Sequence, residues 1–269
     1  MFGARLLLFP LLAAAALLLT SAPSPPSLPI APPAPALPDQ PDPTAVLALD
    51  QALQALDPKQ LAWVETTVWQ KVTLRELTYQ AEGRYLAGPG NRFRLTLRAR
   101  VGDTESETWV ACDGTMIRQA ERWDGGRWSL SKPMELAEAL AAERADRSSP
   151  DGFVRAQLVG GLAALVRDLR QQLAWVRKER VRRNGRPFIK LTGIRPVGEA
   201  EDGRPRLARL YLDGETFWPH RLEWWGADPP RPGDVLLMQL ELRDPVRNRP
   251  LPPDRCATEF APEAMPTPR

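Results

Sequence analysis

Histidine and cysteine are almost missing from this chain of 269 residues, which contains one histidine, His220, and two cysteines, Cys112 and Cys256. A closed zinc site takes four ligands, and these three residues cannot supply them. A serine or cysteine hydrolase would have to build its catalytic group on His220, which follows Pro219 at the start of a predicted strand. The shortage therefore predicts no metal site and no catalytic residue. A hydrolase stays open only through His220.

Glycine-rich phosphate loops are also missing. Gly125-Gly126 lies in a predicted turn, without the helix and lysine that must follow such a loop, so no cofactor is expected. Lysine is scarce, with 5 among 36 basic residues, and the net charge is only +3. Cys112 and Cys256 can form one disulfide in an oxidising compartment, and two buried free thiols are the alternative. The cysteine count leaves both states open.

The first 22 residues have the layout of an export signal. Arg5 precedes a 14-residue apolar run from Leu6 to Leu19, and small residues follow at 20–22. A helix of that length extends about 21 Å, less than the roughly 30 Å core of a bilayer. Residues 1–22 are therefore predicted to be a signal peptide, with retention as a short anchor as the alternative.

Proline dominates the next segment. Residues 23–43 include ten prolines among 21, which favours extended polyproline II and predicts a stiff linker. Residues 44–262 remain for one domain with its own core, and 263–269 are predicted to form a flexible tail.

Strict alternation marks a strand at Asn91–Val101, where odd positions are apolar and even positions are mostly arginine. Gly102-Asp103 and Asp113-Gly114 then predict two-residue hairpin turns. The first turn places Arg98 opposite Glu107, a favourable cross-strand pair. The second places Trp109 opposite Arg118. These strands predict a sheet with one apolar face and one wet face.

Other segments predict helices and further strands. A helix begins after the Asp42 cap. A second covers 133–144, capped by Ser131, and a third begins at Ser149. Gly160-Gly161 inside the third costs about 1 kcal/mol per glycine, which indicates close packing or a mobile element. Strands are predicted at 61–74, 77–86, 173–183, 186–195, 206–213, 220–225, 234–243 and 256–260.

Five short motifs resemble the lipoprotein-carrier superfamily of bacterial envelopes, which has the LolA/LolB-like fold. They are WVETTVWQ at 63–70, AEGRY at 81–85, NRFRL at 91–95, VACDG at 110–114 and LDGETFWPHRL at 212–222. The resemblance implies an α+β fold: a strongly bent antiparallel half-barrel of about 11 strands, with about three helices covering its concave face. It also implies an apolar cavity between sheet and helices that holds acyl chains.

Two sets of candidate binding residues follow. The expected cavity residues are Phe93, Leu95, Leu97, Val110, Leu158, Leu162, Leu165, Leu169, Leu236, Met238 and Leu240. The densest charge cluster spans a predicted hairpin tip and is a candidate for contact with an anionic surface, or an ordinary solvated hairpin. Its basic residues are Arg177, Lys178, Arg180, Arg182, Arg183 and Arg186.

The sequence therefore predicts an exported, non-enzymatic binding protein of the periplasm or cell envelope, with an apolar or acyl-bearing ligand such as a lipid or lipoprotein. The alternative is a tethered envelope sensor or scaffold domain that fills its own cavity and has a protein partner. An anionic membrane surface is a further expected contact, and export disfavours nucleic acid as a partner.

Overall fold

A computed structural model describes residues 40–57, 59, 63–74, 77–145, 150–195, 207–225 and 236–248. Three helices and twelve strands lie in these ranges. The helices are α1 (Pro43–Ala55), α2 (Leu136–Ala145) and α3 (Pro150–Gln172). The strands are β1 (Val64–Leu74), β2 (Leu77–Ala87), β3 (Arg92–Val101), β4 (Thr104–Asp113), β5 (Met116–Trp123), β6 (Ser129–Leu130), β7 (Met134–Glu135), β8 (Ala174–Arg183), β9 (Arg186–Ile194), β10 (Leu207–Asp213), β11 (Pro219–Trp225) and β12 (Leu236–Arg247). The strand predicted at 256–260 lies outside the described residues.

All twelve strands belong to one open antiparallel sheet. Its order is β6-β5-β4-β3-β2-β1-β12-β11-β10-β9-β8, and β7 also pairs with β5. The first and last long strands, β1 and β12, pair in the middle, so the sheet consists of two meanders joined edge to edge. The expected α+β class with an open half-barrel sheet is confirmed.

Helix α1 begins where the sequence predicts. The Asp42 carboxylate accepts a hydrogen bond from the backbone N–H of Thr44 at 2.8 Å, and Pro43 occupies the first turn. Small side chains make most of its buried stripe: Ala45, Ala48, Leu49 and Ala52. Alanines let the helix approach its neighbours closely.

The hairpin of β3 and β4 has the predicted register. Arg98 lies opposite Glu107, and its guanidinium contacts that carboxylate at 3.0 Å. Phe93 and Leu95 are buried on the other face, opposite Cys112 and Val110. Burial on one side and ion pairs on the other confirm the two-faced sheet.

The predicted register of β4 and β5 is wrong by two residues. Trp109 lies opposite Ala120, and Arg118 lies opposite Ala111. The turn residues are Gly114 and Thr115, one position later than predicted. Asp113 ends β4, and its carboxylate accepts hydrogen bonds from the backbone N–H groups of Thr115 and Met116, at 2.9 and 2.8 Å. The cation over the Trp109 ring is Arg94, at 5.5 Å from the ring centre.

The predicted start of α2 also needs correction. Ser131 does not cap a helix; its hydroxyl and backbone N–H donate to the Gln119 carbonyl at 3.1 and 3.0 Å, along the edge of β5. The chain then continues as β7, which pairs with β5, before the helix begins at Leu136. Strand pairing therefore overrides the local helical pattern.

Helix α3 lies against one face of the sheet and breaks at Gly161, whose φ is 66° and ψ −168°. From Gly161 to Leu169 a helix advances roughly 12 Å. Over that length it contacts Tyr85 on β2 and lines a cavity together with Leu210 on β10. Strands β2 and β10 are four inter-strand spacings apart, or roughly 19 Å. A short helical segment that meets strands so far apart lies in the concavity of a bent sheet. None of the helices in the described ranges is long and apolar enough to cross a membrane.

Candidate functional site

The helix–sheet interface, between α3 and strands β10 to β12, is the first candidate site. The helix contributes Leu162, Leu165, Val166 and Leu169, which are all buried. A cavity of about 10 Å³ remains there, close to the smallest space that holds one water molecule. Its walls are Leu162, Leu165, Val166, Leu169, Leu210, Pro219, Arg221, Leu222, Leu240 and Leu242. The described side chains of α3, from Leu162 onward, therefore leave little space beneath this part of the helix.

The expected cavity residues lie in three positions. Leu162, Leu165, Leu169 and Leu240 line the cavity itself. Phe93, Leu95, Val110 and Met238 are buried on the same concave face, outside the cavity walls. Leu97 and Leu236 are half-buried, and the side chain of Leu158 lies outside the described part of the chain.

The break in α3 is held by a hydroxyl from the sheet. Tyr85 Oη accepts a hydrogen bond from the backbone N–H of Leu162 at 3.2 Å. Burial raises the pKa of Tyr85 to about 12, so the hydroxyl stays neutral at physiological pH. A side chain at Gly161 would place its Cβ 2.6 Å from the same oxygen, in a conformation with positive φ. Both features fix the position at which α3 turns onto the sheet.

Gln70 on β1 is a polar residue on the apolar face. It lies opposite Leu240 and Ala81 and is only 2% exposed. Within the described part of the chain, its amide nitrogen Nε2 has no hydrogen-bond partner. An unsatisfied buried amide costs about 1–3 kcal/mol, so this residue weakens the closed interface beside the cavity.

Several residues of the interface were missed in the sequence. Polar neighbours flank three leucines in their strands, Leu210, Leu222 and Leu242. This alternation by itself identifies a buried face. Gln70 shares its parity with buried Val68 and Val72, a signal that marks it as inward-facing. The contact of Tyr85 with α3 has no sequence signal, because it joins residues 77 positions apart.

The opposite face of the sheet carries a satisfied ion-pair network. Arg221 donates to Glu223 at 2.7 Å and to Glu241 at 2.6 Å, and Arg243 also donates to Glu241, at 2.7 Å. Burial by itself would raise the pKa of Glu241, but the two arginines hold it below its usual value. Each of these charges has a partner, so the network stabilises the sheet and offers no free charge to a ligand.

The basic candidates lie on the β8–β9 hairpin, which turns at Asn184-Gly185 with positive φ at both residues. Arg183 packs over the Tyr211 ring at 5.0 Å, and Glu179 pairs with Lys190 at 2.7 Å. The other five basic residues make no ion pair within the described ranges: Arg177, Lys178, Arg180, Arg182 and Arg186.

His220 and Cys112 occupy structural positions. His220 stacks on Phe188 with ring centres 4.9 Å apart, and burial lowers the pKa of the imidazole. Cys112 is buried and forms no disulfide with a described residue, and burial raises the pKa of its thiol. Cys256 lies outside the described residues, so its pairing with Cys112 stays a prediction.

No protein-family model matches the chain, and no curated protein sequence matches it. Among solved structures, the chain is similar to LprF from Mycobacterium bovis, with 14% identity over 79% of this chain and 97% of that one and a TM-score of 0.42. It is similar to MucB, with 16% identity over 80% of this chain and 62% of MucB and a TM-score of 0.36. It is also similar to a LolA superfamily protein from Nitrosomonas europaea, with 12% identity over 82% and 99% and a TM-score of 0.33. The third protein belongs to the superfamily that the sequence resembles. Because these scores are below 0.5, the function is argued from this chain's own residues.

Proposed function

We propose that this chain is an exported, non-enzymatic binding protein of the cell envelope that holds an apolar or acyl-bearing ligand, a lipid or lipoprotein, between its sheet and α3. The helix–sheet interface carries this proposal. Leucine and valine side chains of α3 cover a face formed mainly by leucines of β10 to β12. Apolar burial is non-directional, so the surface that receives these side chains also suits an acyl chain. The family resemblance of the sequence implies the same class of ligand.

A ligand enters this site by displacing the helix. Pockets for small molecules measure about 300–1,000 Å³, far more than the cavity of about 10 Å³ beneath α3. The segment after Gly161 is the part of the helix that fills the space. Gly161 supplies a hinge in its backbone, and the hydrogen bond from Leu162 to Tyr85 is the polar contact that opening would break. The unsatisfied amide of Gln70 would gain a partner from a ligand carbonyl.

A second candidate function is a tethered envelope sensor or scaffold domain with a protein partner. The small cavity favours it, because the described part of the helix–sheet interface leaves little space for a ligand at rest. In this case α3 is a permanent part of the core, and the partner binds an outer surface.

The remaining parts of the chain keep their predicted roles. Residues 1–22 direct export or anchor the chain, 44–262 form the binding domain and 263–269 a tail. Residues 23–43 form a stiff linker, whose last two residues, Asp42 and Pro43, already begin α1. The linker would hold the domain away from a membrane if the signal is retained. The basic hairpin would then lie within reach of an anionic membrane surface or an envelope protein.

Native mass spectrometry of the exported chain, purified without denaturant, separates the two functions. A co-purifying lipid mass, with displacement by a fluorescent fatty-acid probe, is the expected result for the carrier. A ligand-free mass, together with no probe binding, rejects ligand binding and leaves the scaffold. Any ester hydrolysis that persists in His220→Ala removes the hydrolase alternative.

A further inference from the structure

Among the described strands, β8 lies at one end of the sheet, and its outward edge carries backbone groups that can pair. The carbonyl of Trp175 accepts a hydrogen bond from the backbone N–H of Asp42 at 2.7 Å. Its backbone therefore points away from β9. In an antiparallel pair, backbone groups point alternately toward the neighbour and away from it. The register of β8 then identifies the other residues that face outward.

Trp175 lies opposite Gly193, and a bulge follows between Trp175 and Arg177. Residues of β8 whose backbone groups point outward therefore lie opposite odd-numbered residues of β9. Arg182 lies opposite Pro187, so its backbone groups also point outward. The Pro187 carbonyl supports this assignment, since it accepts from the backbone N–H of Gly214 just after β10, on the other side of β9.

The same parity assigns three outward residues, which we name the basic edge: Lys178, Arg180 and Arg182. Lys178 opposes Leu191 and Arg180 opposes Ile189. Their N–H and C=O groups point away from the sheet.

The side chains of the basic edge have the same sign and project on the same side of the sheet. Arg180 and Arg182 are exposed, and within the described ranges no carboxylate pairs with any of the three. Successive members are two residues apart, about 6.8 Å along a strand. Beyond the N–H of Lys178, the edge thus combines backbone groups that have no partner among the described residues with a regular row of positive charge.

Like charge on an edge strand opposes pairing with a second copy of the same strand. A strand of opposite charge is not repelled in this way. We propose that the basic edge binds an extended acidic segment of a partner protein, which adds to the sheet as a further strand and places a carboxylate at every second residue. Backbone hydrogen bonds supply affinity in this mode, and the alternating side chains supply specificity. The proposal is independent of any ligand in the helix–sheet interface.

Asp42 shows that an acidic residue fits beside this edge. Its backbone N–H is already bonded to β8, and it lies next to the first member of the basic edge. The Thr44 hydroxyl, and more weakly the backbone N–H of Lys178, hold the pKa of the Asp42 carboxyl below its usual value. The positions beyond Lys178 have no comparable occupant among the described residues.

Two synthetic peptides of equal composition test the proposal. One has glutamate at alternate positions with threonine between, and the other has its glutamates in one block. The alternating peptide should bind the full chain roughly tenfold more tightly, because only its carboxylates match the period of the edge. Hydrogen exchange should show new protection at the amides of Arg180 and Arg182. Little change is expected at Lys178, whose N–H already bonds to Asp42, or at Arg177 and Glu179, which already pair with β9.

Charge reversal provides matched variants. Arg180→Glu combined with Arg182→Glu should weaken the alternating peptide by about tenfold or more. Arg186→Glu, exposed at the start of β9, makes the same type of change away from the edge and should weaken it by less than about threefold. Thermal melts of all variants check that the sheet is intact.

Three results would overturn the proposal. The first is equal binding of both peptides, which indicates charge attraction alone. The second is binding without new protection at the amides of Arg180 and Arg182. The third is tighter binding to vesicles of phosphatidylglycerol than to the alternating peptide, which assigns the basic residues to a membrane surface. Because the wild-type protection pattern is decisive, the proposal can fail even if a variant does not fold.

Discussion

The hydroxyl of Tyr85 gives the sharpest test of how α3 is held. Tyr85 is 6% exposed, and its oxygen accepts the hydrogen bond of Leu162, the first residue after the break. Tyr85→Phe removes that acceptor while it keeps the ring. The Leu162 N–H is then buried without a partner at the point where the helix turns onto the sheet.

The expected cost follows from that single contact. A buried donor left unsatisfied costs about 1–3 kcal/mol. Part of this cost is offset, because phenylalanine has no hydroxyl whose burial must be compensated. We therefore expect a loss of about 1–2 kcal/mol in the free energy of unfolding. For a domain of this size that corresponds to a decrease in Tm of roughly 2–8 °C. Amides of 162–169 should also exchange faster, because opening of α3 breaks one bond fewer.

Scanning calorimetry and hydrogen exchange of Tyr85→Phe measure both effects. Thr78→Val is the control, since it removes a hydroxyl contact of 3.2 Å with Thr73 at an exposed position. The control should melt within about 1 °C of the wild type. If Tyr85→Phe melts with the control and the exchange of 162–169 is unchanged, the hydroxyl does not hold the helix and the reasoning fails.

Three further predictions concern the same face of the sheet and the single histidine. Gln70→Leu should raise the free energy of unfolding by about 1 kcal/mol, because it removes an unsatisfied buried amide, as chemical denaturation will show. Leu169→Ala should lower it by about 2–5 kcal/mol, because that side chain is 1% exposed and fills the interface. His220 has a pKa lowered by burial, so its neutral form is favoured in the folded chain. Stability should therefore fall as pH decreases below about 6.5, and His220→Gln should flatten that decrease in melts between about pH 5 and 7.

Each of these has a matched control. Gln119→Leu removes an amide that donates to Glu121 at 2.8 Å, so it should destabilise where Gln70→Leu stabilises. Leu130→Ala changes a leucine that is 43% exposed and should have little effect. For the histidine, a pH dependence that is identical in wild type and His220→Gln would assign the titration to other groups.

Local pattern predicted much of the sheet. The alternation from Phe93 to Ala99 identified the buried face of β3, and the Gly102 turn predicted its register with β4 correctly. The same reasoning failed at Asp113, because its carboxylate accepts from two backbone N–H groups and the two-residue turn lies one position later, at Gly114 and Thr115. It also failed at Ser131, where pairing with β5 decides the path of the chain. Both errors arise where a side chain or a neighbouring strand competes with the local turn signal.

The candidate sites divide in the same way. Hydrophobic spacing correctly placed Leu162, Leu165 and Leu169 on one stripe of a helix, and composition located the basic residues on a hairpin. Neither could show that the helix fills the space beneath it, since that depends on side chains from β10 to β12. The position of β8 at the edge of the sheet depends likewise on strand order.

The sequence by itself determined the two-faced strands, the cap of α1 and the scarcity of catalytic or metal-binding groups, because these depend on the types and spacing of nearby residues. Only the tertiary structure decided that α3 closes onto the sheet and that Lys178, Arg180 and Arg182 lie along an outer edge of the described strands. It also decided that Gln70 is buried without a partner among the described residues. These features depend on contacts between residues far apart in the chain and on the order of strands, which local spacing does not encode.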